Sequence, residues 1–180
     1  MSKLMMLTLG LVALMLPLHA GLLLKPSLLR EGFRRFPRNR WCGRILAAGA
    51  VAWAAWVLKD LPLGRFDGLK SGLIPVTIVF GTLVWIYMEE LLAPRALGAL
   101  LLLYPAPLLE AARLHDSRWS VVMSAVAYVM IIKGMALLLS PYLFRRFSEK
   151  ALATDAYCRL AGAGGLALDT LLALLALTLY

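Results

Sequence analysis

Long apolar runs separated by short charged stretches govern this chain from one end to the other. Leu4 to Leu24 carries only Thr8 and His19 as polar side chains, and a second run opens at Ile45 and closes at Lys59-Asp60-Leu61-Pro62. Trp119 to Ser140 and Leu160 to Tyr180 form two more runs near the C-terminus. Each is close to the ~20 residues that a helix rising 1.5 Å per residue needs to cross the hydrocarbon of a bilayer. The middle stretch, Leu73 to Leu109, is too long for one crossing and short for two. Pro94-Arg95 falls near its centre, and proline both removes a donor and clashes with the preceding turn. The pattern therefore predicts two short helices, Leu73–Met88 and Ala96–Leu109, joined by a tight turn. A re-entrant hairpin is the alternative, and it needs protein to cover its free backbone groups. The expected fold is all-α: a polytopic transmembrane helix bundle of about six spans.

The outer parts of the pattern repeat at an offset of 115 residues. Leu22-Leu23-Leu24, Pro26, Leu28 and Arg30 match Leu137-Leu138-Leu139, Pro141, Leu143 and Arg145. Arg44, Ala48 and Gly49 then match Arg159, Ala163 and Gly164 without a gap. A two-helix unit used twice around a central hairpin accounts for this, in one integral membrane domain. Residues 1–63 are the first unit with its basic connector, 64–118 the loop and hairpin, and 119–180 the second unit. The first run also looks like a signal peptide. A cut after Ala20 requires a small residue three positions before it, and Leu18 stands there, so the run is expected to be retained.

Composition agrees with this class: 62% of residues are hydrophobic, 16% are charged and mean hydropathy is +0.80. The net charge of +9 would suit nucleic acid on a soluble face, but the basic residues lie between apolar runs. Anionic lipid headgroups are the simpler partner, and no nucleic acid is expected. Arg30, Arg34, Arg35, Arg38, Arg40 and Arg44 crowd the first connector, with Phe33, Phe36 and Trp41 among them. Arg145, Arg146 and Arg159 mark the second. These arginines are the candidates for contact with headgroups or a partner. The connectors and the Glu89–Arg95 turn hold twelve Lys and Arg, against six on the opposite side. Positive residues stay cytoplasmic, so the expectation is a multi-pass protein of the cytoplasmic (inner) membrane with both termini outside the cytoplasm. Cys42 and Cys158 are read as thiols at the membrane boundary.

Motifs that would make an enzyme are missing from the sequence. There is no His-Glu-x-x-His pair, no Gly-x-Ser-x-Gly elbow and no glycine loop ending in Lys-Ser/Thr. With His19 and His115 as the only histidines, no metal site is expected, and no cofactor. Gly162-Ala163-Gly164-Gly165 sits in an apolar helix start and reads as close helix packing. The ionisable residues inside apolar runs are the remaining candidates. Lys133 lies about 10 Å from the Ser140 end of its helix and Asp169 about 14 Å from the Leu160 end of the next. The expectation is a polar pair, Lys133 with Asp169, because a lone charge at the bilayer centre costs at least ~2.5–3.5 kcal/mol. His19, Glu89 and Glu90 are further candidate members.

Lys133-Gly134, Ser140-Pro141, Arg145-Arg146-Phe147, Arg159-Leu160 and Gly162 resemble the small two-helix bacterial inner-membrane proteins of the YjeT type. There a helix ending in Ser-Pro leads through an arginine-rich connector into a helix opening with Arg and Gly. The resemblance covers roughly the last 50 residues and implies topology, since that family's own function is unknown. An acid commonly stands in that family where this chain has Lys133, and nothing in its pattern requires Asp169. The expected function is a non-catalytic membrane scaffold or accessory subunit, with a membrane-protein partner or a second copy. A small transporter or channel using the intramembrane Lys and Asp is the alternative, and a membrane-embedded lipid enzyme the third reading.

Overall fold

The computed structural model describes residues 2–60, 64–88, 91–115 and 117–180, and all regular structure among them is helical. In chain order the helices are α1 (Lys3–Leu24), α2 (Pro26–Arg35), α3 (Arg40–Asp60), α4 (Lys70–Tyr87) and α5 (Leu92–Leu103). They continue with α6 (Pro105–Arg113), α7 (Ser120–Leu139), α8 (Tyr142–Ala151) and α9 (Asp155–Thr178). Six stretches are long and apolar enough to cross a membrane: Lys3–Leu24, Arg40–Lys59, Asp67–Tyr87, Leu92–Arg113, Ser120–Leu139 and Asp155–Thr178. Their outward faces carry large apolar side chains such as Leu14, Ile86, Leu171 and Leu174, all exposed. Such continuous apolar surface suits lipid as the surrounding solvent.

Helix ends follow local chemistry. The Ser2 hydroxyl accepts from the Met5 N–H at 3.0 Å and caps α1. At the other end the Lys25 N–H donates to Gly21 O at 2.8 Å, and Pro26 opens α2 where its missing donor costs nothing. Thr154 caps α9 and Asp155 places an acid in its first turn, favourable against the helix dipole. The two connectors become short, strongly amphipathic helices, α2 and α8.

The central stretch departs from expectation. Pro94 does not make the turn; it lies in the first turn of α5, where a proline is tolerated because no hydrogen bond is lost. The chain reverses earlier, around Leu91, which adopts φ 55°. Both central helices are consequently longer than the short pair expected, at 21 and 22 residues with their flanking turns. Pro105 opens α6, so the second of them is two helical pieces.

The described residues form two compact units. The first holds residues 1–35, 104–132 and 145–180. In it α1 runs along α9, with α6 against α1 and α2 against α9. The Tyr104 hydroxyl donates to Leu7 O at 2.6 Å, and Lys3 pairs with Glu110 at 3.2 Å. Leu22, Leu152 and Cys158 make a small core under Leu29 and Phe33. The second unit holds residues 36–103 and 133–144. There α3 packs against both α4 and α5, around Ala47, Leu92 and Ala96. This grouping cuts across the sequence-order division at 63/64 and 118/119. Helices in lipid associate through small-residue faces, which need not follow chain order.

Gly162 shows how close the α1–α9 approach is: a Cβ there would lie 2.8 Å from both His19 O and Leu23 N. Gly164, two residues on, faces open space. Gly162→Leu should therefore destabilise the folded protein by on the order of 1–3 kcal/mol, because rigid backbone cannot move aside. Gly164→Leu should be near neutral. Unfolding of both variants in a detergent titration checks the contrast, and equal stabilities would refute the close approach.

Candidate functional site

Asp169 is the one buried carboxylate among the described residues, with its side chain 3% exposed in the middle of α9. Its partner is His19 of α1, whose Nδ1 lies 2.7 Å from Oδ2. Gly165, one turn before Asp169, makes the room, since a Cβ at that position would strike the imidazole ring. Gly162, Gly165 and Asp169 share one face of α9, at helical spacings of three and four residues. That face is a slot cut by two absent side chains and floored by a carboxylate, into which α1 inserts His19.

The imidazole Nδ1 and the carboxylate Oδ2 are complementary hydrogen-bonding atoms, and their contact gives the buried carboxyl group a polar partner. A buried polar group with such a partner escapes much of the cost of burial without one. The sequence reading named Lys133 as the partner of Asp169, and this is corrected. Asp169 takes its partner from within its own unit, while Lys133 is exposed on α7 in the second unit and has no partner among the described residues. Glu89 and Glu90 lie outside the described residues.

The basic candidates divide by burial. Arg34, Arg35, Arg38, Arg40, Arg145, Arg146 and Arg159 are exposed. Arg35 pairs with Glu31 at 2.6 Å and Arg145 with Glu149 at 3.4 Å, both one helical turn apart. Exposed pairs of this kind contribute little stability and leave guanidinium groups at the surface. Arg30 is half-buried and binds Asp155, tying α2 to the start of α9. Arg44 is half-buried with its guanidinium 5.5 Å from the ring of Trp85 and 5.9 Å from that of Trp41.

Three cavities among the described residues, of 560, 420 and 310 Å³, are walled by residues other than His19, Lys133 and Asp169. No group of three or more His, Cys, Asp or Glu that could hold a metal stands among the described residues. The 310 Å³ cavity lies between α2 and α8, with Arg30, Arg34, Ser148 and Glu149 in its wall. The 560 Å³ cavity includes Arg95, which the sequence reading did not single out as a site. The available signal was an arginine placed just inside a helix start within an otherwise apolar run.

The pair predicts an asymmetric mutational pattern. His19→Leu leaves a fully buried carboxyl group without its partner, whereas Asp169→Leu leaves an imidazole that is 20% exposed. His19→Leu should therefore lower folded yield and detergent stability more, by about 2.5–3.5 kcal/mol or above. The double variant should recover much of the loss. Lys133→Met should change little, and a Lys133→Met effect rescued by Asp169→Leu would restore the sequence-based pairing. No family model, curated protein or solved structure matches this chain.

Proposed function

We propose that this chain is a small non-catalytic scaffold or accessory subunit of the cytoplasmic membrane, multi-pass, with both termini outside the cytoplasm. The observation that carries the reading is the use made of the buried carboxylate. Asp169 is satisfied by His19 against glycine backbone, as a register lock between α1 and α9. The cavities of 310 to 560 Å³ are walled by other residues, so the polar pair lines none of them. Exposed arginines on α2 and α8 supply a basic surface for anionic headgroups or the acidic face of a membrane-protein partner.

A duplicated origin supports the topology. At an offset of 115 residues Leu24, the end of α1, falls on Leu139, the end of α7, and Arg40, the start of α3, falls on Asp155, the start of α9. The connectors α2 and α8 are both ten residues long. With two matching connectors of strong positive charge, a shared cytoplasmic side is the reading that obeys the charge bias.

Cys42 is half-buried and Cys158 is buried, so only Cys42 is a usable reporter of sidedness. A membrane-impermeant maleimide should leave Cys42 unlabelled in intact cells and label it once the inner membrane is opened. Labelling in intact cells would invert the proposed orientation.

A small transporter moving protons or ions is the second reading, favoured by the 2.7 Å contact between two ionisable groups, His19 and Asp169. The two readings separate in proteoliposomes and in native lipid. A scaffold should leave the decay of an imposed pH gradient equal to that of empty vesicles, and should co-purify with a membrane protein at fixed stoichiometry. Proton leak that vanishes in Asp169→Leu would overturn the scaffold.

A further inference from the structure

Within the second unit α3 meets α4 and α5 along separate lines. On the α4 side Gly81 yields to Val51, whose methyl groups a Cβ would strike. On the α5 side a Cβ at Gly43 would lie 2.9 Å from Ala93 N, and Ala47 packs with Leu92 and Ala96. Between those lines α3 presents Ala50, Val51 and Ala54, side chains too short to fill the gap. Phe80 and Val84 of α4 and Ala99 and Leu102 of α5 complete the walls of the 560 Å³ cavity. That volume is within the ~300–1,000 Å³ usual for small-molecule sites.

One charged side chain lines it. Arg95 is half-buried, and its Nε is fully buried with no hydrogen-bond partner among the described residues. Its Nη1 meets the Met88 sulfur, at 3.5 Å. A thioether is a weak acceptor and does not compensate a guanidinium. A buried donor left without an acceptor is costly, and an anion at Arg95 supplies the acceptor that Nε lacks among the described residues. The rest of the wall is almost wholly apolar, which suits a hydrocarbon chain and not a free solute ion. Trp85 and Met88 stand at the same end of α4 as this arginine, and aromatic residues of that kind mark the headgroup level of a bilayer.

The geometry points to a specific site for one anionic phospholipid, its phosphate on the Arg95 guanidinium and an acyl chain lying on α3 between α4 and α5. The guanidinium fork offers two parallel N–H donors to phosphate oxygens, a geometry that an ammonium lacks. This site differs from the exposed arginines of α2 and α8, which meet bulk headgroups. It stands independently of the scaffold reading.

The test uses the full chain in nanodiscs of equal phosphatidylglycerol and phosphatidylcholine, extracted into mild detergent and weighed by native mass spectrometry. Wild type should keep one phosphatidylglycerol in preference to phosphatidylcholine. Arg95→Gln should lower that retention about tenfold, the loss of a charge-assisted hydrogen bond. Ala99→Phe, which fills the cavity without changing charge, should lower it similarly. Arg34→Gln with Arg35→Gln should leave the tightly held lipid in place. Equal retention of the two lipids by wild type overturns the proposal without any variant. So does retention by Arg95→Gln within twofold of wild type, and loss in Ala99→Phe alone would make the cavity a neutral acyl pocket.

Discussion

Inside a bilayer a helix gains nothing by hiding apolar side chains, because the acyl chains around it are as apolar as leucine. Association then rests on close backbone approach and on polar groups that must be satisfied. The α1–α9 contact supplies both in one place. Gly162 and Gly165 let α1 come within van der Waals reach of the α9 backbone, and Asp169 accepts His19 at the bottom of the slot. The features are mutually dependent: without the glycines the ring cannot enter, and without the ring the carboxylate has no partner. A slip of one helical turn, about 5.4 Å, would separate the pair, so register is set along the whole contact. The other elements of that unit build on α1 and α9, with α2 tied by Arg30 to Asp155 and α6 by Tyr104 to Leu7.

The second unit uses glycine approach at several places among the described residues. Gly43 faces Ala93, Gly81 faces Val51, and Gly98 and Gly134 bring their backbones together, each 2.8 Å from where the other's Cβ would lie. At the 115-residue offset His19 corresponds to Gly134 and Asp169 to Ala54. The ionisable pair thus has no counterpart at positions 115 residues away. A buried polar pair that one combination of helices can satisfy distinguishes that combination from other pairings, which is the best-attested use of such groups. Where glycine and alanine alone set the approach, a face of α3 is left too small to fill its surroundings. The cavity beside Arg95 is the consequence.

Much of this was legible in the chain itself. The apolar runs, the small-residue face around Gly162 and the basic connectors each follow from local composition, and six membrane-length helices with short amphipathic links result. Asp169 was recognisable as an acid inside a membrane-length apolar run and so in need of a partner. Its depth was readable too, because rise per residue is constant. Azimuth was not. Each residue turns a helix by about 100°, so neighbours such as Lys133 and Gly134 face different surroundings, and sequence spacing alone does not say which neighbour each meets. Packing put Gly134 inside and left Lys133 outside, and packing gave Asp169 to a helix 150 residues away in sequence. The same limit applies to Pro94, whose effect depended on whether the helix began before or after it, and to Arg95, whose burial depends on how α4 and α5 part over α3. Sequence determined which segments are helical and what they could tolerate in lipid. Tertiary structure alone decided which faces meet, because close approach depends on the joint shape of two surfaces and not on either one.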